Sequence, residues 1–223
     1  MEIPFEIRIH QDGISAELKI KEKTYLMKTS EYTPWIRINF NPGLNMKVHG
    51  ICRFLLLEAQ PHIKLYITPL NIDPEKPALP ISYPSTFSSY LAKSHELFAT
   101  LGVAEDTSAL NEGIIDEDSF LKQCQLIHKE RETMFFDVLD KTPDGVSVCV
   151  FDITDRVQHM FYRYIDKNHP AIAKTESKLQ YQNIIRDLYI QMDDLVGRIM
   201  DRVGSDTTVM VMSDHGFKSF RYG

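Results

Sequence analysis

Apolar and polar residues alternate through the first third of the chain. Residues 5–9 and 14–20 alternate with the period of two that is typical of a β-strand, and the turn-forming residues Gln11, Asp12 and Gly13 separate the two segments. Further strands are predicted at residues 24–28, 35–40, 51–58 and 63–68. Short turns between closely spaced strands favour antiparallel pairing, so residues 1–72 are predicted to be a β-rich antiparallel segment.

Proline interrupts this pattern in residues 73–84. The prolines at positions 74, 77, 80 and 84 exclude both a helix and a central strand there. We interpret this segment as a linker that separates the β-rich residues 1–72, inserted before it, from an α/β core in residues 85–223.

Helical periodicity replaces strand alternation after the linker. Helices are predicted at residues 85–100, 118–139 and 176–203. Asp116, followed three residues later by Ser119, has the chemistry of a helix N-cap, and Gly204 follows the last helix as its expected C′ residue.

Two short apolar runs, residues 146–151 and 207–212, lie before and after the last predicted helix. Both have the β-branched, continuously apolar composition of a strand that is buried on both faces. A strand, a long helix and a second strand predict a βαβ unit in a parallel sheet. The predicted fold class is therefore α/β, with a partial parallel-sheet core and a β-rich antiparallel N-terminal segment.

Aspartate and histidine follow both predicted strands. Asp155 and His159 are four residues apart, so a helix that begins after the first strand places them on one face, one turn apart. Asp214 and His215 are adjacent in the loop after the second strand. Because the carboxyl ends of parallel strands meet at one edge of a sheet, the two pairs are expected to converge.

Carboxylate oxygen and imidazole nitrogen are both zinc ligands, so these four residues are candidate metal ligands. Two simpler interpretations stay open. Asp155 would also serve as a helix cap, and the sequence Asp-His-Gly is common in turns.

Composition excludes several other classes of protein. The chain carries 25 Lys and Arg against 31 Asp and Glu, a net charge of −6, which disfavours a nucleic-acid-binding surface. No apolar run is long enough to span a membrane, and the first residues do not have the features of a signal peptide. Three cysteines without a CxxC pair argue against a disulfide framework or a thiolate zinc site. A cytoplasmic protein is expected, although a signal upstream of Met1 would change that expectation.

The sequences of residues 150–164 and 211–217, which contain Asp155-x-x-x-His159 and Asp214-His215-Gly216, resemble the type I phosphodiesterase/nucleotide pyrophosphatase group of the alkaline phosphatase superfamily. The resemblance implies an alkaline-phosphatase-like core and two divalent metal ions, zinc or alternatively manganese. Asp155 and His159 would bind one ion, and Asp214 and His215 the other. The implied function is a metal-dependent hydrolase of phosphoric esters that acts on a small phosphate ester or a nucleotide.

The chain departs from the family pattern in two places. It has no early Asp followed by a nucleophilic Thr or Ser at a strand-to-helix junction, and no later His follows Gly216. We therefore expect it to correspond to an internal fragment that is inactive by itself. A phosphoglycerate mutase-like phosphotransferase or a sulfatase of the same superfamily is an alternative, because the nucleophile that distinguishes them is not identified. A non-catalytic interaction module, which needs no metal, is another. The oligomeric state is not predicted.

Overall fold

The N-terminal third of the chain consists of short antiparallel strands. The computed structural model describes residues 2–43, 46–170 and 179–219. The strands are β1 (Phe5–Ile9), β2 (Ser15–Ile20), β3 (Lys23–Lys28), β4 (Ile36–Gly43), β5 (Met46–Cys52), β6 (Phe54–Glu58), β7 (Lys64–Ile67) and β8 (Asn71–Ile72).

These strands form three sheets, in the orders β1-β2-β3, β4-β5-β8 and β6-β7. Isolated bridges also join Leu56 and Leu55 of β6 to Thr29 and Tyr32. Every ladder is antiparallel, which confirms the predicted character of this region. The strand predicted over residues 51–58 is wrong in one respect, because Arg53 separates β5 from β6. Alternate side chains of β2, among them Ala16 and Leu18, are fully buried, as the period of two predicts.

The turn between β1 and β2 is held by a single carboxylate. Oδ1 of Asp12 accepts hydrogen bonds from the backbone N–H groups of Ile14 (3.0 Å) and Ser15 (2.9 Å). Gly13 has a φ of 71°, a left-handed conformation that glycine adopts without the steric cost of a Cβ atom. The sequence Gln-Asp-Gly therefore forms the turn that it predicts.

Helices follow the strands. They are α1 (Phe87–Ser94), α2 (Thr107–Asn111), α3 (Glu117–Asp140), α4 (Ile153–Phe161) and α5 (Ile184–Val203). The predicted N-cap is confirmed, since Oδ1 of Asp116 accepts a hydrogen bond of 2.8 Å from the backbone N–H of Ser119. Helix α5 ends at Gly204, whose φ is 72°. Among the helices that the structure describes, not one combines the length and the hydropathy that crossing a bilayer requires.

The chain divides into two compact units, Met1–Val150 and Phe151–Gly223. In the first unit, Glu130 connects α3 to two residues that flank strands, Trp35 before β4 and Arg53 between β5 and β6. Its Oε1 accepts hydrogen bonds from Nε1 of Trp35 and from an Nη atom of Arg53, both at 2.7 Å. The guanidinium of Arg53 also lies 4.6 Å from the centre of the Trp35 ring. The segmentation into 1–72, 73–84 and 85–223 stays a sequence-based prediction.

Neither of the two predicted parallel strands forms among the described residues. Residues 146–151 and 207–212 belong to no strand, and most of their apolar side chains are exposed; Val148 is 82% exposed and Met212 is 84% exposed. An apolar, β-branched run indicates that a segment is suited to a buried strand. Burial also requires neighbouring strands, and the part of the chain that is described pairs none with these runs.

Candidate functional site

Helix α4 carries the first candidate pair. Asp155 lies in its first turn and His159 in its last turn, and Nε2 of His159 lies 3.3 Å from Oδ1 of Asp155. The opposite face of the helix is anchored by buried apolar side chains, Ile153, Val157, Met160 and Phe161. The spacing of four residues therefore places the carboxylate and the imidazole together on the free face, as predicted.

A hydrogen-bonded loop carries the second pair. Oγ of Ser213 donates to the carbonyl oxygen of His215 (2.6 Å), and the backbone N–H of His215 donates to Oδ1 of Asp214 (3.1 Å). Asp214 and His215 are both exposed. These local bonds allow two adjacent side chains to present their polar atoms on the same side, which a helix or a strand would prevent.

The two pairs lie together. Nε2 of His215 is 3.7 Å from Oδ1 of Asp155 and 3.6 Å from Oδ2 of Asp214. Oδ1 of Asp155 thus faces the imidazoles of both His159 and His215, although helix α5 lies between these histidines in the sequence. The structure brings together all four residues that the sequence analysis selected.

Hydrogen bonding defines the protonation of His215. Its Nδ1 lies 2.9 Å from the carbonyl oxygen of Gly216. A carbonyl can only accept, so Nδ1 carries the proton, and in the neutral ring Nε2 has the free lone pair. Nε2 lies 3.7 Å and 3.6 Å from carboxylate oxygens of Asp155 and Asp214. Metal-binding histidines commonly donate their other ring N–H to a backbone carbonyl in this way.

The surroundings of His215 also change its acidity. The hydrogen bond to the carbonyl of Gly216 raises the pKa of His215 above its usual value, and the negative charges of Asp214 and then of Asp155 act in the same direction. Each of these interactions stabilises the imidazolium form relative to the neutral ring. The site therefore already favours a positive charge at the position of this ring.

Arg156 donates a hydrogen bond to the second carboxylate oxygen of Asp155. Its Nη1 lies 2.7 Å from Oδ2 of Asp155. One oxygen of Asp155 is thus engaged by the guanidinium, whereas the other faces the two histidines. This contact orients the carboxylate without occupying the atom that points toward the candidate ligands.

The donor types and pairwise distances fit a metal ion. Two ligand atoms of a tetrahedral zinc ion, each about 2.0–2.1 Å from the metal, lie about 3.3 Å apart. The measured carboxylate–imidazole distances are 3.3, 3.6 and 3.7 Å. Within the described ranges, however, no three His, Cys, Asp or Glu side chains form a group that could hold a metal ion. The four residues therefore supply suitable pairs of ligands rather than a closed ligand shell.

Comparison with known proteins identifies the family of the chain. The model of the family "Type I phosphodiesterase / nucleotide pyrophosphatase" matches residues 81–222. The chain belongs to this family. The match spans most of the chain and includes α1 to α5 and all four candidate ligands. Neither the curated proteins nor the solved structures gave a match. Family membership assigns the chain to the hydrolases of the phosphodiesterase/nucleotide pyrophosphatase type.

Two residues of this phosphodiesterase-family chain contact the candidate ligands but were not identified as site residues from the sequence. One is Arg156, and the other is Phe217, whose ring centre lies 4.8 Å from that of His159 and 5.5 Å from that of Tyr162. The only sequence signal for either was adjacency to a motif residue. The ring of Tyr162, which lies immediately after α4, stacks on Phe217 of the loop.

Proposed function

We propose that this chain contributes the metal-binding residues of a hydrolase that cleaves phosphoric diesters or nucleotide pyrophosphate bonds. The proposal depends above all on Asp155, whose Oδ1 faces Nε2 of both His159 and His215. A carboxylate shared by two imidazoles at ligand–ligand distances is suited to a divalent cation. The family match supports the reaction class.

Each candidate pair would hold one of two divalent ions, with Asp155 and His159 on the first, and Asp214 and His215 on the second. A bound divalent ion supplies Lewis acidity toward a phosphoryl oxygen and lowers the pKa of a coordinated hydroxyl group. Zinc fits the mixed carboxylate and imidazole donors, and manganese is the alternative. The two carboxylates would attract the cations, and the hydrogen bond from Nδ1 of His215 to the carbonyl of Gly216 would leave Nε2 available as a ligand atom.

The substrate would be a small phosphate ester or a nucleotide. Two cations offset the negative charges of Asp155 and Asp214, so a phosphate group is attracted to a site that is acidic without metal. The side chains of His159 and His215 are 55% and 53% exposed, which leaves them open to both an ion and a substrate. This placement of paired donor side chains favours a metal-dependent hydrolase over a non-catalytic interaction module.

We infer that the 223-residue chain alone does not turn over phosphate esters. Zinc requires three or four protein ligands in such sites, and each pair here supplies two. The proposed active enzyme has an alkaline-phosphatase-like parallel core, in which residues 146–151 and 207–212 pair with strands beyond those described. A phosphotransferase or a sulfatase of the same superfamily would use a similar metal site, but the family match favours the phosphodiesterase.

Zinc binding tests the proposal directly. The chain is stripped with a chelator and titrated with zinc in a calorimeter, beside two isosteric variants. Asp155→Asn removes the central candidate ligand, whereas Asp206→Asn removes a charge of the same kind from an exposed loop of the same unit. We expect affinity to fall at least about tenfold in Asp155→Asn, within the range for lost ligand interactions, and to stay unchanged in Asp206→Asn. Equal affinities in both variants would contradict the metal site.

A nitrophenyl phosphodiester with added zinc or manganese tests the activity of the chain. No turnover is expected. Turnover that Asp214→Asn abolishes would show that the chain is active by itself, which contradicts the inferred inactivity and supports the hydrolase.

A further inference from the structure

Within the loop 213–218, Phe217 is the one residue that is partly buried. Its neighbours from Ser213 to Gly216 are exposed, as is Lys218, whereas Phe217 is half-buried. Its ring meets His159 nearly edge-on (4.8 Å between centres, 84° between planes) and stacks on Tyr162 (5.5 Å, 25°). Both distances fall within the range of favourable aromatic pairs.

The other bonds of this loop act within the loop itself. Ser213, Asp214, His215 and Gly216 exchange the hydrogen bonds that set its shape, and none of those bonds reaches α4. The contact between His215 and Asp155, at 3.7 Å between partly exposed side chains, is too weak to hold the loop in place. The apolar ring of Phe217 provides the stronger attachment, because its contacts remove aromatic surface from water on both sides.

The ring also touches both candidate histidines. Its centre is 6.4 Å from that of His215, which belongs to the loop, and 4.8 Å from that of His159, which belongs to α4. Tyr162 lies immediately after α4 and extends the same aromatic cluster. Phe217 therefore contacts both ligand-bearing segments, in addition to the contact between His215 and Asp155.

We propose that Phe217 is a positioning residue that docks the loop carrying Asp214 and His215 onto α4, so that its histidine reaches the carboxylate of Asp155. The docking of the loop onto α4 is argued from the ring contacts alone. The consequence for metal affinity rests on the proposed function.

Nuclear magnetic resonance tests the docking without any metal. In the native chain, we expect cross-relaxation between the ring protons of Phe217 and those of His159, and an upfield ring-current shift of the His159 ring protons. Phe217→Leu should remove the shift, Phe217→Tyr should retain it, and Tyr189→Leu, which deletes an exposed aromatic ring from α5, should leave it unchanged. Absence of cross-relaxation in the native chain would overturn the docking, whatever the stability of the variants.

Zinc titration of the same proteins tests the consequence. We expect Phe217→Leu to weaken zinc binding about tenfold, as loss of a supporting contact does, and Phe217→Tyr to bind like the native chain. If native protein binds zinc and Phe217→Leu binds it equally well with an unchanged His159 shift, the positioning role is wrong. If no protein binds zinc but the ring-current pattern holds, the proposed function fails and the docking stands.

Discussion

Nε2 of His215 lies 3.7 Å from Oδ1 of Asp155, and the two residues come from segments that α5 separates in the sequence. Neither residue belongs to the other's motif. The contact therefore joins the Asp-x-x-x-His pair of α4 to the Asp-His-Gly loop, which adjacency within each motif could not do. It makes the four candidate ligands one cluster rather than two.

A double-mutant cycle in zinc affinity measures this relationship. Asp155→Asn and His215→Gln should each weaken binding, and the double variant should lose less than the sum of the two changes in free energy, because the residues share one site. The cycle of Asp206→Asn with His215→Gln serves as the control and should be additive. Additive losses in the first cycle would mean that the contact between Asp155 and His215 does not couple the two candidate ion sites.

Removal of Glu130 should strongly destabilise the first unit. Glu130→Ala leaves the buried guanidinium of Arg53 and the indole N–H of Trp35 without their acceptor. Breaking one partner of a buried ion pair costs about 3–5 kcal/mol. Urea denaturation should therefore show a much lower midpoint for Glu130→Ala, whereas the exposed Glu112→Ala should change the free energy of unfolding by no more than about 0.5 kcal/mol. A Glu130→Ala midpoint equal to that of the control would show that the contacts of Glu130 with Arg53 and Trp35 do not stabilise the first unit.

The turn between β1 and β2 should confer acid sensitivity. Hydrogen bonds from the Ser15 hydroxyl and then from the backbone N–H groups of Ile14 and Ser15 hold the pKa of Asp12 below its usual value. A carboxyl group whose pKa is lower in the folded state stabilises the fold above its unfolded pKa, and this stability is lost as the pH falls through the folded pKa. Asp12→Asn should therefore destabilise the chain at pH 6, and the difference from the native chain should shrink by pH 3.

Denaturation at both pH values, beside the exposed-turn variant Asp144→Asn, measures the effect of Asp12. A difference between Asp12→Asn and the native chain that grows on acidification would refute the assigned hydrogen bonds.

The exposed apolar run at residues 146–150 should promote association. Val148 is 82% exposed, and contiguous exposed apolar surface favours aggregation. Val148→Lys should lower the binding of a hydrophobic dye and reduce light scattering at high protein concentration. Ser147→Lys adds the same charge at the neighbouring exposed position without removing apolar surface. If both variants reduce scattering equally, the effect is one of net charge rather than of Val148.

Features that depend on local sequence could be predicted. The N-cap of Asp116, the glycine at the end of α5 and the shared face of Asp155 and His159 each follow from preferences within a few residues of the chain, although Gly204 is the C-cap rather than the predicted C′ residue. For the same reason, each candidate pair was identified as a unit from its spacing alone.

Features that depend on distant partners could not be predicted. Charges alternate in residues 129–132, a pattern typical of a solvated helix face, yet Arg53 and Trp35, far away in the sequence, cover most of the Glu130 side chain. Conversely, the run at residues 146–151 has the composition of a buried strand but lacks a paired neighbour among the described residues. The hydrophobic pattern indicates which secondary structure a segment favours. Whether that structure forms depends on a neighbouring element that pairs or packs with it.

The boundary between the compact units, at Val150 and Phe151, falls inside the region that matches the family and beside the exposed run. A protease that cleaves the accessible backbone at residues 146–150 would leave Asp155, His159, Asp214 and His215 together on the C-terminal product. The region that matches the family and the compact unit that contains the four candidate ligands are therefore different stretches of the chain.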